Sequence, residues 1–273
     1  MSPEGSPLER LRARIGQESR LVVAFSGGVD SALVAVAAAE VLGTQALAVT
    51  AVSPSLPERE RTAARDLMQA HGVKHLEVAT DEFSRPEYVQ NAGDRCFHCK
   101  SALFDAIAPL SELLGAPVAL GTNLDDLGDH RPGLAAARLN GALAPMVDAR
   151  LSKADVRAAA AELGLAVAAK PAAACLSSRI AYGDPVTAES VRTVELAERA
   201  LHDLGLPSVR VRSHAQGTVA RVEVAADRLD EAIERRDELV TAVKEAGFLF
   251  VTLDLDGLVS GSMNRLLPVV GVR

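Results

Sequence analysis

The residues best suited to chemistry form the run Ser26-Gly27-Gly28-Val29-Asp30-Ser31, which directly follows the apolar stretch Leu21-Val22-Val23-Ala24-Phe25. Neither Gly27 nor Gly28 carries a Cβ, so the main chain can approach an anion closely and adopt conformations closed to other residues. Backbone N–H groups at the start of a following helix would point at the same anion, and the two serine hydroxyls add further donors. The pattern predicts a phosphate-binding turn between a strand and a helix.

The carboxylate of Asp30 gives this turn a more specific chemistry. A simple phosphate site would carry no acid, whereas a Mg²⁺ ion bridging the carboxylate to phosphates favours ATP. The run is neither the G-x-x-x-x-G-K-[ST] loop nor the dinucleotide fingerprint G-x-G-x-x-G. The alternative is an ordinary strand-to-helix turn with two glycines. The predicted nucleotide ligands are Phe25, Ser26, Gly27, Gly28, Val29, Asp30 and Ser31.

The complete S-G-G-x-D-S run resembles that of the PP-loop ATP pyrophosphatases. The resemblance implies that the α-phosphate of ATP is attacked and pyrophosphate leaves. That superfamily contains GMP and NAD synthetases, tRNA thiolases and other sulfur-inserting enzymes, and the motif does not choose among them.

Three cysteines supply a second candidate site, because Cys96 and Cys99 lie three residues apart and Cys175 follows much later. An odd number of cysteines argues against a disulfide framework. Cys96 and Cys99 fall where a helix is predicted to begin, which places both thiols on one side and favours thiolates. If the fold brings Cys175 to them, three thiolates surround one point.

Three interpretations of the cysteines remain open on spacing alone. A [4Fe-4S] cluster would take three thiolates and leave one iron open to another ligand. Structural zinc would need a fourth ligand, and His98 lies inside the short loop, where it would struggle to reach the same ion. A redox pair at Cys96 and Cys99 with a buried Cys175 is the third.

Composition bounds the class of protein. The chain has 273 residues, 48% of them hydrophobic, which is enough for one large or two smaller cores. Lys and Arg total 29 against 36 Asp and Glu, a net charge of −7, which disfavours a nucleic-acid partner. No run approaches the roughly 20 apolar residues of a membrane span, and no signal peptide is evident, so we expect a cytoplasmic protein.

Strand-like and helical runs alternate through the first two-thirds of the chain, which predicts an α/β fold with a doubly wound, mostly parallel sheet. The second strand is predicted at 46–52 and a loop at 80–95, and apolar residues at helical spacing over 229–243 predict a helix near the end of the chain. Loops after its strands, including the acidic loop Asp125–Gly133, should line the crevice beside Ser26. A linker near Tyr182–Pro185 separates a small α+β domain. We therefore predict domains 1–183 and 184–273.

Ser152 to Asp155 reads as a helix start of the capping type, and Lys153 and Arg157 as solvated residues on that helix.

Other sites follow from side-chain type. Ser178 and Arg179, just after Cys175, suit a phosphate, so we add them to the nucleotide ligands. Arg210 and Arg212 lie two apart on a predicted strand, hence on one face, where they could bind a phosphate or carboxylate of the substrate. For each arginine, a solvated surface charge is the alternative.

The tract Lys170 to Ile180, the Asp125–Gly133 loop and the run Val209 to Arg212 together resemble the LarE family of ATP-dependent sulfur transferases, in the same order and over nearly the whole chain. That resemblance implies adenylation of pyridinium-3,5-biscarboxylic acid mononucleotide and conversion of its carboxylate to a thiocarboxylate, a step towards a nickel-pincer cofactor. It also suggests a homo-oligomer, a trimer or hexamer.

Within that family, one branch sacrifices the sulfur of the cysteine that matches Cys175, and another holds a [4Fe-4S] cluster on three cysteines. The presence of Cys96 and Cys99 matches the second branch. The resemblance further implies roles near the reacting cysteine for Asp126 and Arg131, for which a helix cap and a surface charge are the alternatives. A tRNA thiolase, a sacrificial Cys175 and a zinc-stabilised ATP-binding protein stay as rival functions.

Overall fold

The structure is a computed structural model that describes residues 5–128, 132–170, 174–259 and 261–266. In chain order its helices and strands are α1 (Pro7–Ile15), β1 (Leu21–Ala24), α2 (Val29–Leu42), β2 (Ala46–Val52), α3 (Glu58–Ala70), β3 (His75–Ala79), α4 (Pro86–Val89), α5 (Arg95–Leu114), β4 (Val118–Ala119), α6 (Pro132–Leu139), α7 (Pro145–Asp148), α8 (Lys153–Glu162), α9 (Ala188–Asp203), β5 (Val209–His214), β6 (Val219–Val224), α10 (Leu229–Glu234), α11 (Arg236–Glu245) and β7 (Phe250–Leu253).

The chain divides into two compact units. The first contains Met1–Ser53, Glu58–Asp81 and Cys96–Ala173, and the second contains Pro54–Pro57, Glu82–Arg95 and Ala174–Arg273. The second unit thus includes two short segments from the first half of the chain. No change of amino-acid composition in the sequence indicates that they belong to it. It also takes 174–183, which the sequence analysis assigned to the first domain. The boundary after residue 183 remains a prediction about independent folding, which compactness alone does not test.

The first unit is built on a four-stranded sheet with the order β3-β2-β1-β4, in which every pair of neighbours is parallel. Side chains of β1 alternate between two cores. Val23 packs in a cluster with residues of α1, α2 and α8, and Val22 packs in another with residues of α5. Helices therefore cover both faces, and the predicted doubly wound α/β fold is confirmed. The arrangement brings the carboxyl ends of β1 and β4 together at one edge.

The second unit is the predicted small α+β module. Its sheet has the order β5-β6-β7, with β5 antiparallel to β6 and β6 parallel to β7. The hairpin turns through Ala215, Gln216 and Gly217, which all have positive φ angles of 51°, 55° and 88°. The parallel third strand is reached through α10 and α11.

Two departures from the predicted elements have local causes. The stretch 80–95, predicted as a loop, contains α4, which starts at Pro86 and buries Tyr88 against Phe83. The helical pattern 229–243 is two helices, because Arg235 leaves helical geometry at φ −98° and ψ 19°. The side chain of Arg235 there donates to the carbonyl of Leu204.

Candidate functional site

The predicted phosphate-binding turn is present between β1 and α2. Gly27 has a φ of +77°, which only glycine adopts at little cost, and Gly28 caps the amino end of α2. The hydroxyl of Ser31 accepts from the Ser26 N–H at 3.1 Å, lies 3.1 Å from the Ser26 hydroxyl and donates to the Gly28 carbonyl at 3.2 Å. These bonds fix the shape of the turn. The backbone N–H groups from Val29 onwards belong to the first turn of the fourteen-residue helix α2. Phe25, at its start, is buried.

The end of β4 touches this turn through Gly121. A Cβ on Gly121 would lie 2.5 Å from the Ser31 nitrogen and 2.8 Å from the Asp30 carbonyl carbon. Only glycine fits there, because it has no Cβ. The missing Cβ lets the chain after β4 approach the turn that follows β1. Neither glycine spacing nor a turn motif marks Gly121 in the sequence.

The carboxylate of Asp30 is held between two donors from opposite sides. Its Oδ1 accepts from the Asn123 amide at 2.9 Å, and its Oδ2 lies 2.5 Å from the ammonium of Lys153. Lys153, which we predicted to be a solvated helix residue, begins α8 and is partly exposed, but its ammonium also has a partner in the nucleotide turn. An oxygen donor in this position suits a divalent cation, so the chemistry of Asp30 fits the Mg²⁺ expected with ATP.

The loop after β4 folds around Asn123. Its amide oxygen accepts from the N–H groups of Asp125 and Asp126 at 3.0 and 3.3 Å, and the Asp126 carboxylate accepts from the Asn123 N–H at 3.0 Å. Asp126 thus positions the residue that contacts Asp30, and its implied role beside the reacting cysteine stays a prediction. Arg131 lies outside the described residues.

Cys96 and Cys99 occupy the first turn of α5, as the sequence predicted, and neither forms a disulfide. Burial lowers the pKa of the neighbouring Lys100 ammonium, while charge on Cys99 and Cys96 acts in the opposite direction. Lys100 was not among the predicted site residues, although its spacing of four residues from Cys96 places it on the same side of the helix. The amino end of α6 approaches here, since a Cβ on Gly133 would lie 3.5 Å from the Cys96 carbonyl.

Cys175 lies in the second unit, immediately before a short 3-10 turn formed by Leu176–Arg179. Its carbonyl accepts three hydrogen bonds, from the Ser178 N–H at 3.0 Å, the Ser178 hydroxyl at 2.7 Å and the Arg179 guanidinium at 3.0 Å. The hydroxyl of Ser177, beneath this turn, lies 2.6 Å from that of Tyr88. The Ser178 and Arg179 contacts therefore fix the main chain at Cys175, and the predicted phosphate contacts of both residues are untested.

Two buried ion pairs support this turn. Arg179 pairs with Glu198 at 2.9 Å, and Arg212 pairs with Glu223 at 2.9 Å while donating to the Ser178 carbonyl at 3.1 Å. Both arginines are about 5% exposed or less. A buried guanidinium with a partner carboxylate is held in place, so Arg212 helps to fix the turn at Ser178, and its predicted contact with the substrate stays a prediction.

Arg210, on the same face of β5, differs from these two. Burial lowers the pKa of its guanidinium, and the positive charges of Arg179 and Arg212 lower it further. Across residues 5–128, 132–170, 174–259 and 261–266, its guanidinium makes no hydrogen bond or ion pair. A half-buried cation with donors to spare beside two others is suited to an anion.

The structure thus collects the predicted residues into two groups. Ser26, Asp30 and Ser31 lie together in the first unit, and Cys175, Ser178, Arg179 and Arg212 lie together in the second. Within the described part of the chain, no group of three or more His, Cys, Asp or Glu side chains could hold a metal ion. The three-cysteine site remains a prediction.

No helix in the described ranges is both long and apolar enough to cross a bilayer.

Known proteins are similar to this chain both in the region that contains the glycine turn and over most of its length. The family model described as asparagine synthase matches residues 9–96. An uncharacterised protein of Synechocystis is 43% identical over 265 residues, covering 96% of this chain and 98% of its own length. An uncharacterised protein of Methanocaldococcus jannaschii is 26% identical over 241 residues, covering 88% and 91%.

A third relative carries a functional name. The pyridinium-3,5-bisthiocarboxylic acid mononucleotide synthase of Lactiplantibacillus plantarum is 35% identical over 259 residues, which cover 94% of this chain and 93% of that protein. This chain belongs to the LarE family of ATP-dependent sulfur transferases in the PP-loop superfamily.

Proposed function

We propose that this protein adenylates a carboxylate of pyridinium-3,5-biscarboxylic acid mononucleotide and converts it to a thiocarboxylate, in the biosynthesis of a nickel-pincer nucleotide cofactor. The observation that carries the proposal is the 35% identity over nearly the full length of a synthase named for the bisthiocarboxylate product. The nucleotide turn supports it, since that chemistry needs ATP.

Activation comes first because a carboxylate cannot expel oxide. An oxygen of the substrate carboxylate attacks the α-phosphorus of ATP, the bond to the bridging oxygen breaks, and pyrophosphate leaves with that electron pair. The N–H groups after Gly28 and the serine hydroxyls are placed to stabilise charge that develops on the phosphates. Asp30 would hold the Mg²⁺, which when bound supplies charge neutralisation for the triphosphate.

Sulfur transfer follows at the acyl carbon. A sulfur nucleophile adds there, the carbon–oxygen bond to AMP breaks, and AMP takes the electron pair. Arg210 is the residue we assign to the phosphate or free carboxylate of the substrate, because its guanidinium is half-buried and its neighbours Arg179 and Arg212 are already paired with carboxylates. Arg212 and Arg179 hold the turn that carries Cys175.

We assign the sulfur to a [4Fe-4S] cluster on Cys96, Cys99 and Cys175. Thiols are the ligands that such clusters take, and two of them share the first turn of α5. When bound, the cluster supplies a coordinated sulfide that makes the sulfur source renewable. Charge on Cys99 and Cys96 raises the pKa of the Lys100 ammonium against the larger effect of burial, so the lysine interacts electrostatically with both thiols.

The decisive experiment purifies the full-length protein without oxygen and measures iron and acid-labile sulfide. The protein is then incubated with MgATP and the biscarboxylate mononucleotide. We expect stoichiometric iron, formation of AMP, pyrophosphate and thiocarboxylate, and an unchanged intact mass after turnover. Metal-free protein that loses one H₂S from Cys175 would replace the cluster by the sacrificial route, and bound zinc without product would favour the ATP-binding alternative.

Two variants and a control sharpen this test. C96S/C99S should lose iron and multiple turnover, and C175S should lose thiocarboxylate formation while still releasing pyrophosphate. S101A removes a hydroxyl that donates to the Phe97 carbonyl on the same helix and should retain both activities. Thiolation of added tRNA with no product from the mononucleotide would contradict the proposed substrate. Light scattering tests the expected trimer or hexamer.

A further inference from the structure

The ion pair between Lys153 and Asp30 has no role in the function proposed above. The two side chains are 36% and 26% exposed, so water reaches both. A partly exposed pair contributes little to stability. Its place is more informative than its strength, because the Asp30 carboxylate belongs to the turn that binds phosphates and a divalent cation.

The position of Lys153 is fixed by several independent contacts. Its own N–H donates to the Asp125 carboxylate at 2.6 Å. The preceding Ser152 and the following Asp155 form a capping box at the amino end of α8. Leu124 donates to the Leu151 carbonyl at 3.0 Å, which ties the same loop to the residue before the cap.

The main chain under Lys153 is therefore anchored to the loop that also presents Asn123 to Asp30. Val156, Ala159 and Ala160, on the inner side of α8, are buried in the core that they share with α2. The helix is capped at its start and packed in this core, whereas the four-carbon side chain of Lys153 retains rotatable bonds. The ammonium can change partner without movement of the backbone.

We propose that Lys153 is an exchangeable counter-cation of the nucleotide site. Before nucleotide binds, its ammonium neutralises Asp30 and keeps the acid from repelling the triphosphate. When Asp30 binds the divalent ion that accompanies ATP, the ammonium passes to the phosphates and contributes a direct contact there. The inference rests on the ATP dependence of the family and is independent of the sulfur source and of the carboxylate substrate.

The two halves of this role predict opposite effects of removing the charge. In K153M without nucleotide, Asp30 has lost a competitor, so Mn²⁺ should bind about fivefold more tightly. With nucleotide, the variant lacks one charged contact to phosphate, so the affinity for the Mg²⁺ complex of α,β-methylene-ATP should fall about 10- to 100-fold. If Lys153 were merely structural, its loss would weaken both the Mn²⁺ affinity and the nucleotide affinity. If it were an ordinary surface residue, its loss would change neither affinity.

The measurements are Mn²⁺ binding by electron paramagnetic resonance and calorimetric titration of the Mg²⁺ complex of α,β-methylene-ATP, both on the full chain. K153Q repeats the charge removal with a hydrogen-bonding side chain and should shift both affinities in the same directions. K153R keeps the charge and should bind Mn²⁺ as the parent does. R157M is the matched control, because Arg157 lies one turn further on α8, contacts the Ala168 carbonyl and should affect neither affinity.

The proposal is overturned if K153M and K153Q bind Mn²⁺ more weakly than the parent, or if the nucleotide affinity is unchanged. Thermal melting of each variant identifies a fold defect, and K153Q decides the question should K153M fail to fold. Failure of the sulfur-transfer proposal would leave these affinities unaltered, so the two outcomes are distinguishable.

Discussion

Substitution of Gly121 by alanine tests whether the close approach of β4 to the nucleotide turn is required. The added Cβ would lie 2.5 Å from the Ser31 nitrogen and 2.8 Å from both the Ser31 Cα and the Asp30 carbonyl carbon, where ordinary contact begins at 3.4 Å. All three atoms are backbone, so no side chain can turn away. The strands and the start of α2 must separate by somewhat less than 1 Å, about the difference between those distances.

Two consequences can be sized. Overpacking of this kind costs about 1–3 kcal/mol, which lowers the Tm by roughly 2–10 °C for a protein of this length. A displacement near 1 Å at a reacting centre reduces the rate about 100-fold, so pyrophosphate release should fall by roughly that factor. Asn123 lies two residues along, and its 2.9 Å bond to Asp30 would lengthen with the shift.

The assay compares G121A with G128A by thermal melting and by ATP-dependent pyrophosphate release. Gly128 follows in the same loop, and a Cβ there would have no atom within 4 Å. We expect G128A to match the parent in both measurements. A G121A protein with parental Tm and parental pyrophosphate release would show that the approach is not needed and would refute the reasoning.

Three further predictions concern other contacts. R212M removes the guanidinium bound to Oε2 of the fully buried Glu223, whose Oε1 keeps Arg221 and Ser262, and should cost about 1–3 kcal/mol in urea unfolding. R210M removes no hydrogen bond or ion pair among the described residues and should leave stability unchanged. S152A removes the cap of α8 and should cost about 1 kcal/mol in the same measurement, with a value near zero contradicting the cap. Hydrogen bonds from Arg65 and Arg61 lower the pKa of Glu77 to about 2 from the ordinary 4.5, so its carboxylate stabilises the fold above pH 4.5. E77Q should therefore be less stable than the parent at pH 7. As the pH falls towards 2, the parent carboxylate becomes protonated, so the urea midpoints of the two proteins should converge.

Much of the first unit could be predicted because its signals are local. The strand predicted at 46–52 has those bounds, and the cap at Ser152 forms as its spacing indicates. Alternation of apolar strands with helices is enough to predict a parallel sheet, and the glycine turn locates its ligand edge.

The contacts that complete the site join residues far apart in the chain, and this is why the sequence did not reveal them. Lys153 reaches Asp30 across 123 positions, and nothing about a lysine at the start of a helix announces such a partner. Arg210 and Arg212 read as an equivalent pair on one strand, and Arg210 is the one directly opposite Glu223 on β6, yet the buried ion pair with Glu223 is formed by Arg212. The same limit applies to 82–95, whose membership in the second unit depends on Asn91 donating to the carbonyls of Ala181 and Asp184.

The three hydrogen bonds that converge at residue 175 all end on its carbonyl oxygen, so the backbone there is secured independently of the thiol. On the rival sacrificial route, a chain whose Cys175 sulfur has been spent should keep the same local shape as an intact one. Spent and intact molecules would then melt alike and remain mixed in one preparation. Mass, rather than stability, is the property that separates them.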